Sequence, residues 1–161
     1  MKIFGIVGWK NSGKTTLIAA LVREFCQRGL RVSTIKHAHH AFDLDRPGKD
    51  SFLHRMAGAQ EVLIASEGRW ALLHELRGED APELTELVAR LSPVDLVLVE
   101  GFKNEAIPKL EVRRAGAAGQ PLAETGAHIA AIATDGEIGA ADRPVFALDD
   151  ITGIADFILR H

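Results

Sequence analysis

The sequence predicts an α/β fold with a mostly parallel sheet, because short apolar runs typical of strands alternate with stretches of helical periodicity. The chain of 161 residues is 47% hydrophobic and 25% charged, which is the size and composition of one globular domain over residues 1–161. A single cysteine, Cys26, is typical of a cytoplasmic protein without disulfides. No apolar run approaches the ~20 residues of a transmembrane helix, so we expect no membrane partner.

The N-terminal part of the chain predicts a strand, a helix and a second strand. Lys2–Val7 is a short apolar run followed by glycine, which is typical of a buried strand. Over Thr15–Arg28 the apolar residues recur at the three- and four-residue spacing of a helix, and Gly29 is a helix stop signal. Arg31–Lys36 predicts the second strand.

The middle of the chain departs from this alternation. A short helix is predicted over Asp50–Ala57, with Asp50 or Ser51 able to cap its start. Glu61–Ala65 and Arg69–His74, separated by three turn residues, predict a hairpin. We therefore expect part of the sheet to be mixed.

Alternation resumes in the C-terminal half. Ala81–Leu91 has helical spacing, with Pro82 at a first-turn position. Asp95–Val99 is a continuous apolar run, as expected for a strand covered on both faces. The remaining predicted elements are strands over Leu110–Val112, Ile129–Thr134 and Val145–Leu148, and a last helix capped by Asp149-Asp150 and running through Leu159.

A phosphate-binding loop is predicted between the first strand and the first helix. The segment matches the pattern G-x-x-x-x-G-K-[ST] in full: Gly8-Trp9-Lys10-Asn11-Ser12-Gly13-Lys14-Thr15. Its glycines let backbone N–H groups face phosphate oxygens, and the following helix adds the positive end of its dipole. Lys14 can reach the β- and γ-phosphates, and the hydroxyl of Thr15 can ligate Mg²⁺. The motif predicts a P-loop NTPase domain with three α/β/α layers.

Glu100 is predicted to be the acidic residue of this site. It follows the apolar run Asp95–Val99, and ligands of open α/β sheets bind beyond the carboxyl ends of the strands. Glu100 should therefore lie beside the P-loop, where it can hold a Mg²⁺-bound water or orient an attacking one.

A polar segment with three aspartates and three histidines follows the second predicted strand. Asp43, Asp45 and Asp50 could reach Mg²⁺ or water from a loop that overhangs the phosphates, although a charged, solvated loop is the alternative. The histidines at positions 37, 39 and 40 leave open a metal-delivery GTPase, but they lack a typical zinc-binding spacing.

Three segments in order make the chain resemble the MobB family, whose members are accessory GTP-binding proteins of molybdopterin-guanine dinucleotide biosynthesis. They are the P-loop, Lys36-His37-Ala38-His39-His40 with Asp45-Arg46-Pro47-Gly48-Lys49-Asp50-Ser51 and Ala57-Gly58-Ala59, and Val99-Glu100-Gly101-Phe102-Lys103. The resemblance implies a homodimer that binds GTP with Mg²⁺, hydrolyses it weakly, and assists MobA, the nucleotidyltransferase that attaches GMP to molybdopterin. It also implies site residues by position: Gly8, Asn11, Gly13, Lys14, Thr15, Thr16 and Glu100, with His37, Asp45, Asp50 and Lys103 at the rim.

Guanine recognition needs a residue other than those of the common motif, because the chain contains no Asn-Lys-x-Asp sequence. Asp135 follows the predicted strand Ile129–Thr134, and its carboxylate could accept hydrogen bonds from guanine N1 and N2. A turn aspartate before Gly136 is the alternative.

The sequence also bears on two further function classes. A small-metabolite P-loop kinase would share the size and core, but its only candidate for an arginine-rich lid is the short stretch at Arg113 and Arg114. A general nucleic-acid-binding protein is disfavoured by the net charge of −3.

Overall fold

The computed structural model describes residues 1–38, 45–116, 121–125, 128–138 and 141–161. These residues form two compact units, one made of 1–37 with 84–161 and the other of 38–83. A single domain over 1–161 stays a prediction.

The elements follow the predicted order, and their ends agree with the prediction to within three residues. Within the described ranges there are eight strands: β1 (Lys2–Val7), β2 (Val32–Lys36), β3 (Glu61–Ala65), β4 (Trp70–His74), β5 (Leu96–Glu100), β6 (Lys109–Arg113), β7 (Ile129–Thr134) and β8 (Val145–Ala147). The α-helices there are α1 (Lys14–Gln27), α2 (Asp50–Met56), α3 (Leu84–Ala89) and α4 (Ile151–Arg160), and a 3₁₀ turn spans Leu122–Thr125. None of these helices combines the length and apolar character that crossing a bilayer requires.

The first unit contains a six-stranded sheet in the order β2-β5-β1-β6-β7-β8. Every pair of neighbours in this sheet is parallel. Strand β1 lies between β5 and β6, and Ile6 is in register with Glu100. The chain segments that follow β1 and β5 therefore leave the sheet at the same edge.

Both faces of this sheet are covered, as the three-layer prediction requires. Successive side chains of a strand point to opposite faces. Leu96 and Leu98 of β5 pack in one buried cluster with α1 and α4, whereas Val97 and Val99 pack in another with α3. The continuous apolar run of β5 follows from this double burial. The predicted fold class is confirmed.

The second unit contains α2 and the hairpin β3–β4. The hairpin prediction is confirmed, but its two strands form their own antiparallel sheet instead of making the main sheet mixed. Helix α2 begins at Asp50 after the N-cap residue Lys49, and no side chain caps it. The predicted cap is therefore wrong: Asp50 lies in the first turn, and the hydroxyl of Ser51 donates to Asp45.

Candidate functional site at the carboxyl ends of the parallel strands

The P-loop is shaped by residues in the left-handed backbone region. Gly8, Asn11 and Gly13 have φ angles of 154°, 62° and 96°. A Cβ on Gly8 would lie 2.4 Å from the carbonyl oxygen of Val112, so this position requires glycine. Asparagine is among the residues that tolerate a positive φ. The loop therefore has the curled backbone that the motif predicts.

Lys14 occupies the inside of this loop. Its ammonium donates to the carbonyl oxygen of Trp9 at 2.7 Å and to the hydroxyl of Ser12 at 3.4 Å. Partial burial is the main reason why the pKa of Lys14 is lowered; the carboxylate of Glu100 opposes this effect, and the ammonium groups of Lys103 and Lys36 add to it. An anionic ligand would stabilise the charged form of this partly buried ammonium group, which lies near two other cations.

Glu100 lies beside the P-loop, as the topology requires. The hydroxyl of Thr15 donates to Oε1 of Glu100 at 3.4 Å, and Nζ of Lys36 lies 3.5 Å from Oε2. A hydroxyl and a carboxylate at this spacing are hard oxygen donors of the kind that Mg²⁺ takes. Thr15 and Glu100 are thus the described residues best placed to hold that ion. The catalytic role of Glu100 stays a prediction.

The other P-loop residues of the predicted site differ in exposure. Ser12 is buried, and its backbone N–H donates to the carbonyl oxygen of Trp9 at 3.2 Å. Lys10 and Asn11 of the loop and Thr16 of α1 are exposed.

Lys103 contacts the P-loop in a way that the sequence did not indicate. Its Nζ lies 4.0 Å from the centroid of the Trp9 ring. Two left-handed residues lead to it from β5, Gly101 with φ 90° and Phe102 with φ 51°. The ring centroids of Phe102 and His37 are 4.9 Å apart. Two residues predicted at the rim are therefore near the site: Lys103 contacts Trp9, and His37 contacts Phe102 in the segment after Glu100.

Asp135 lies directly after β7, on the wall of a cavity of about 720 Å³ at the ends of β7 and β8. Its Oδ1 accepts from the backbone N–H of Ala115 at 2.7 Å, and its Oδ2 lies 3.4 Å from Nε of Arg114. Two guanidinium nitrogens of Arg114 lie 4.0 Å from where a Cβ on Gly13 would be. Arg114 therefore connects the cavity wall to the P-loop, a position that the sequence did not reveal.

The two arginines considered as a kinase lid are both bound to carboxylates. Arg114 pairs with Asp135, and Nη2 of Arg113 lies 2.9 Å from Glu111. Glu111 is itself buried and accepts from the backbone N–H groups of Leu122 and Ala123, at 2.8 and 2.9 Å. This buried carboxylate ties β6 to the 3₁₀ turn.

Two of the predicted aspartates, Asp45 and Asp50, belong to the second unit. Asp45 has a side chain only 3% exposed; its oxygens accept from Ser51 at 2.7 Å and from Arg55 at 3.3 Å. Asp50 is exposed in the first turn of α2. Their catalytic role stays a prediction.

His39, His40 and Asp43 lie outside the described residues, so the histidine cluster of the metal-delivery alternative is not placed. Within the part of the chain that is placed, no three side chains of histidine, cysteine, aspartate or glutamate come together as a metal site.

The chain is similar in sequence to the proteins of one family. The family model of Molybdopterin guanine dinucleotide synthesis protein B matches residues 3–135. The Molybdopterin-guanine dinucleotide biosynthesis adapter protein of Escherichia coli K12 is 40% identical over 161 residues, which cover 98% of this chain and 91% of the relative. The protein of the same name from Haemophilus influenzae is 39% identical over 156 residues, with coverages of 97% and 86%.

Solved structures give the same result. The MobB protein homolog from Bacillus stearothermophilus matches with a TM-score of 0.75 at 27% identity, and both chains are covered completely. Bacillus subtilis MobB matches with a TM-score of 0.77 at 25% identity, over 99% of this chain and 97% of that one.

Proposed function

Because this chain belongs to the MobB family, we propose that it is an adapter protein of molybdopterin-guanine dinucleotide biosynthesis that binds GTP and Mg²⁺ at its P-loop. The observation that carries the proposal is the convergence of Lys14, Thr15 and Glu100 at one edge of the parallel sheet. The E. coli and H. influenzae relatives are named adapter proteins of this biosynthesis, and their names are the reason for proposing this pathway.

The triphosphate is proposed to bind along the loop between β1 and α1. Backbone N–H groups of the loop and the start of α1 would face phosphate oxygens, and Lys14 would exchange its contact with the carbonyl of Trp9 for the β- and γ-phosphates. Thr15 and Glu100 would hold Mg²⁺, which supplies neutralisation of phosphate charge. Glu100 would orient water for a slow hydrolysis.

Guanine is proposed to occupy the cavity beside Asp135. The carboxylate is an acceptor pair that matches the donors at N1 and N2 of guanine, whereas adenine offers no such pair there. In the structure this carboxylate is held by Ala115 and Arg114, so base binding would have to take over part of these contacts.

A homodimer is proposed through the hairpin of the second unit. Cross-strand partners share a face of the hairpin, so Leu63, Leu72 and Trp70 lie together, and all three are exposed. Exposed apolar patches of this kind are typical of protein interfaces. Light scattering of the unchanged chain and of Leu63→Glu tests this proposal: a dimer that becomes a monomer supports it, and an unchanged mass contradicts it.

The proposed partner is the MobA-type nucleotidyltransferase that attaches GMP to molybdopterin, and the proposed compartment is the cytoplasm. The test is a reconstituted reaction with purified transferase, molybdopterin and limiting GTP. Adding the chain should accelerate formation of the guanine dinucleotide, and Lys14→Met should remove most of this acceleration. Equal rates with and without the unchanged chain would contradict the proposal.

A further inference from the structure

The ammonium group of Lys103 rests on the face of an aromatic ring inside the P-loop. Nζ lies 4.0 Å from the centroid of the Trp9 ring. No carboxylate among the described residues forms an ion pair with Lys103. Trp9 is also the residue whose carbonyl oxygen accepts from Lys14 at 2.7 Å. Trp9 thus contacts two ammonium groups, that of Lys14 through its carbonyl oxygen and that of Lys103 through its ring, in the loop where phosphate charge is expected.

Backbone geometry, ring packing and hydrogen bonds fix the conformation of the segment that carries Lys103. Phe102 has φ 51°, a conformation that is costly for an aromatic residue and that tends to persist where function uses it. The His37 ring packs against Phe102, and a Cβ on Gly101 would lie 3.0 Å from Cβ of His37. The ammonium of buried Lys109 donates to the carbonyl oxygens of Glu105 and Ile107, which fixes the far end of the same segment.

We propose that Lys103 senses the γ-phosphate: its ammonium leaves the face of the Trp9 ring and binds the γ-phosphate when a nucleoside triphosphate fills the P-loop. The inference rests on the proposed function and deepens it. A charge-assisted hydrogen bond to a phosphate oxygen is stronger than a contact with the face of a partly exposed ring. A diphosphate lacks that oxygen, so Lys103 would stay on Trp9 in the GDP complex.

This arrangement would give the protein two distinguishable nucleotide states. In the triphosphate state the ring of Trp9 is released from the cation, and the segment after Glu100 is tied to the ligand. In the diphosphate state both stay as they are in the structure. A purely structural Lys103 would instead stabilise Trp9 equally in both states.

The experiment uses Trp9 as its own probe. The chain contains two tryptophans, so Trp70→Phe leaves Trp9 as the only indole. This parent variant is titrated with Mg²⁺ and either GDP or a non-hydrolysable GTP analogue, while emission and affinity are recorded. We expect the analogue to change Trp9 emission and GDP to leave it nearly unchanged.

Variants at position 103 decide between the two roles. Lys103→Met should weaken binding of the analogue about tenfold, change GDP binding less than about twofold, and remove the emission difference between the two complexes. Lys103→Arg keeps the charge and should preserve the preference. Arg90→Met, which removes an exposed charge next to α3, is the matched control and should change neither affinity.

Three outcomes overturn the inference while leaving the proposed function intact. Equal weakening of GDP and analogue binding by Lys103→Met would make Lys103 a general contributor to the P-loop. Identical Trp9 emission in both complexes would show that Lys103 does not move. Analogue binding that does not depend on Lys103 would also overturn the inference alone. If the unchanged chain bound neither nucleotide, the proposed function would fail, and the inference with it.

Discussion

The hydroxyl of Thr15, at the start of α1, lies 3.4 Å from the carboxylate of Glu100, at the end of β5. These residues are far apart in the chain and meet because β1 and β5 are parallel neighbours in register. Hydroxyl and carboxylate oxygens at one sheet edge suit a hard divalent cation. This pair is therefore the part of the site where magnesium dependence and hydrolysis are expected to originate.

Glu100→Gln should leave nucleotide binding largely intact, because an amide oxygen can still ligate Mg²⁺. It should slow GTP hydrolysis about 100-fold, because the amide accepts no proton from water. Single-turnover hydrolysis with radiolabelled GTP measures the effect. Asp95→Asn is the matched control, since Asp95 lies just before the other end of β5 and accepts from the backbone of Arg31. Unchanged hydrolysis in Glu100→Gln would rule out this role for the carboxylate.

Lys14→Met should weaken GTP binding by about 10- to 100-fold, which corresponds to the ~1.5–3 kcal/mol of a hydrogen bond to a charged group. The ammonium already lies inside the loop, 2.7 Å from the carbonyl oxygen of Trp9, so its loss removes a placed charge. Calorimetry gives the affinity. Lys2→Met, at the opposite end of β1, is the control and should bind as the unchanged chain does.

Affinity should also depend on pH in the alkaline range. The pKa of Lys14 is lowered, chiefly by burial, and only its protonated form binds phosphate well. GTP affinity should therefore fall as the pH rises through that lowered pKa, before the range of an ordinary lysine near ~10.4. Lys14→Arg stays charged there and should flatten the profile. A dissociation constant that is constant to about pH 10 would contradict this assignment.

Asp135→Asn should change the preferred base from guanine to xanthine. Xanthine carries a carbonyl group where guanine carries its 2-amino group, so an amide that donates suits xanthine and a carboxylate suits guanine. Competition titrations with GTP, XTP and ATP measure the change, which we expect to be at least about tenfold in the ratio of GTP to XTP. Asp142→Asn, an exposed aspartate paired with Arg143, is the control. If Asp135→Asn kept the original preference, another residue would read the base.

Glu111→Ala should destabilise the first unit by about 3 kcal/mol, because it leaves two backbone N–H groups and Arg113 without their buried acceptor. Urea unfolding followed by circular dichroism measures the loss. Glu137→Ala removes an exposed carboxylate and should stay within about 0.5 kcal/mol of the unchanged chain. A neutral effect of Glu111→Ala would mean that water replaces the carboxylate.

Most of the fold could be predicted from periodicity and turn signals. The run that contains most of β5 is apolar at successive positions, which is typical of a strand covered on both faces. The hairpin could also be predicted from local sequence. Its separation from the main sheet could not, because pairing between strands of different segments depends on contacts that local sequence does not encode. Helix α3 is shorter than predicted at both ends. It begins at Leu84, so the prediction of Pro82 in its first turn is wrong, and after Ala89 the N–H groups of Arg90 and Leu91 donate to carbonyl oxygens three residues back.

The site could be predicted where a motif defines it and not where topology does. The P-loop and Glu100 follow from sequence spacing together with the rule for strand ends. The Arg114–Asp135 pair depends on β6 and β7 being neighbours, with Arg113 in register with Thr134, which no local pattern shows. The Lys103–Trp9 contact depends on the left-handed backbone of Phe102, a residue type that gives no signal for it.

Binding of GTP and Mg²⁺ at the P-loop is tested most directly by a calorimetric titration of the chain with GTP and with ATP, each with and without Mg²⁺. We predict that GTP binds more tightly than ATP and that Mg²⁺ strengthens the binding. A preference for ATP, or affinities that Mg²⁺ leaves unchanged, would contradict the assignment of Asp135 to the base or of Thr15 and Glu100 to the ion. If neither nucleotide bound, the chain would not be a GTP-binding protein, and the proposed function would be wrong.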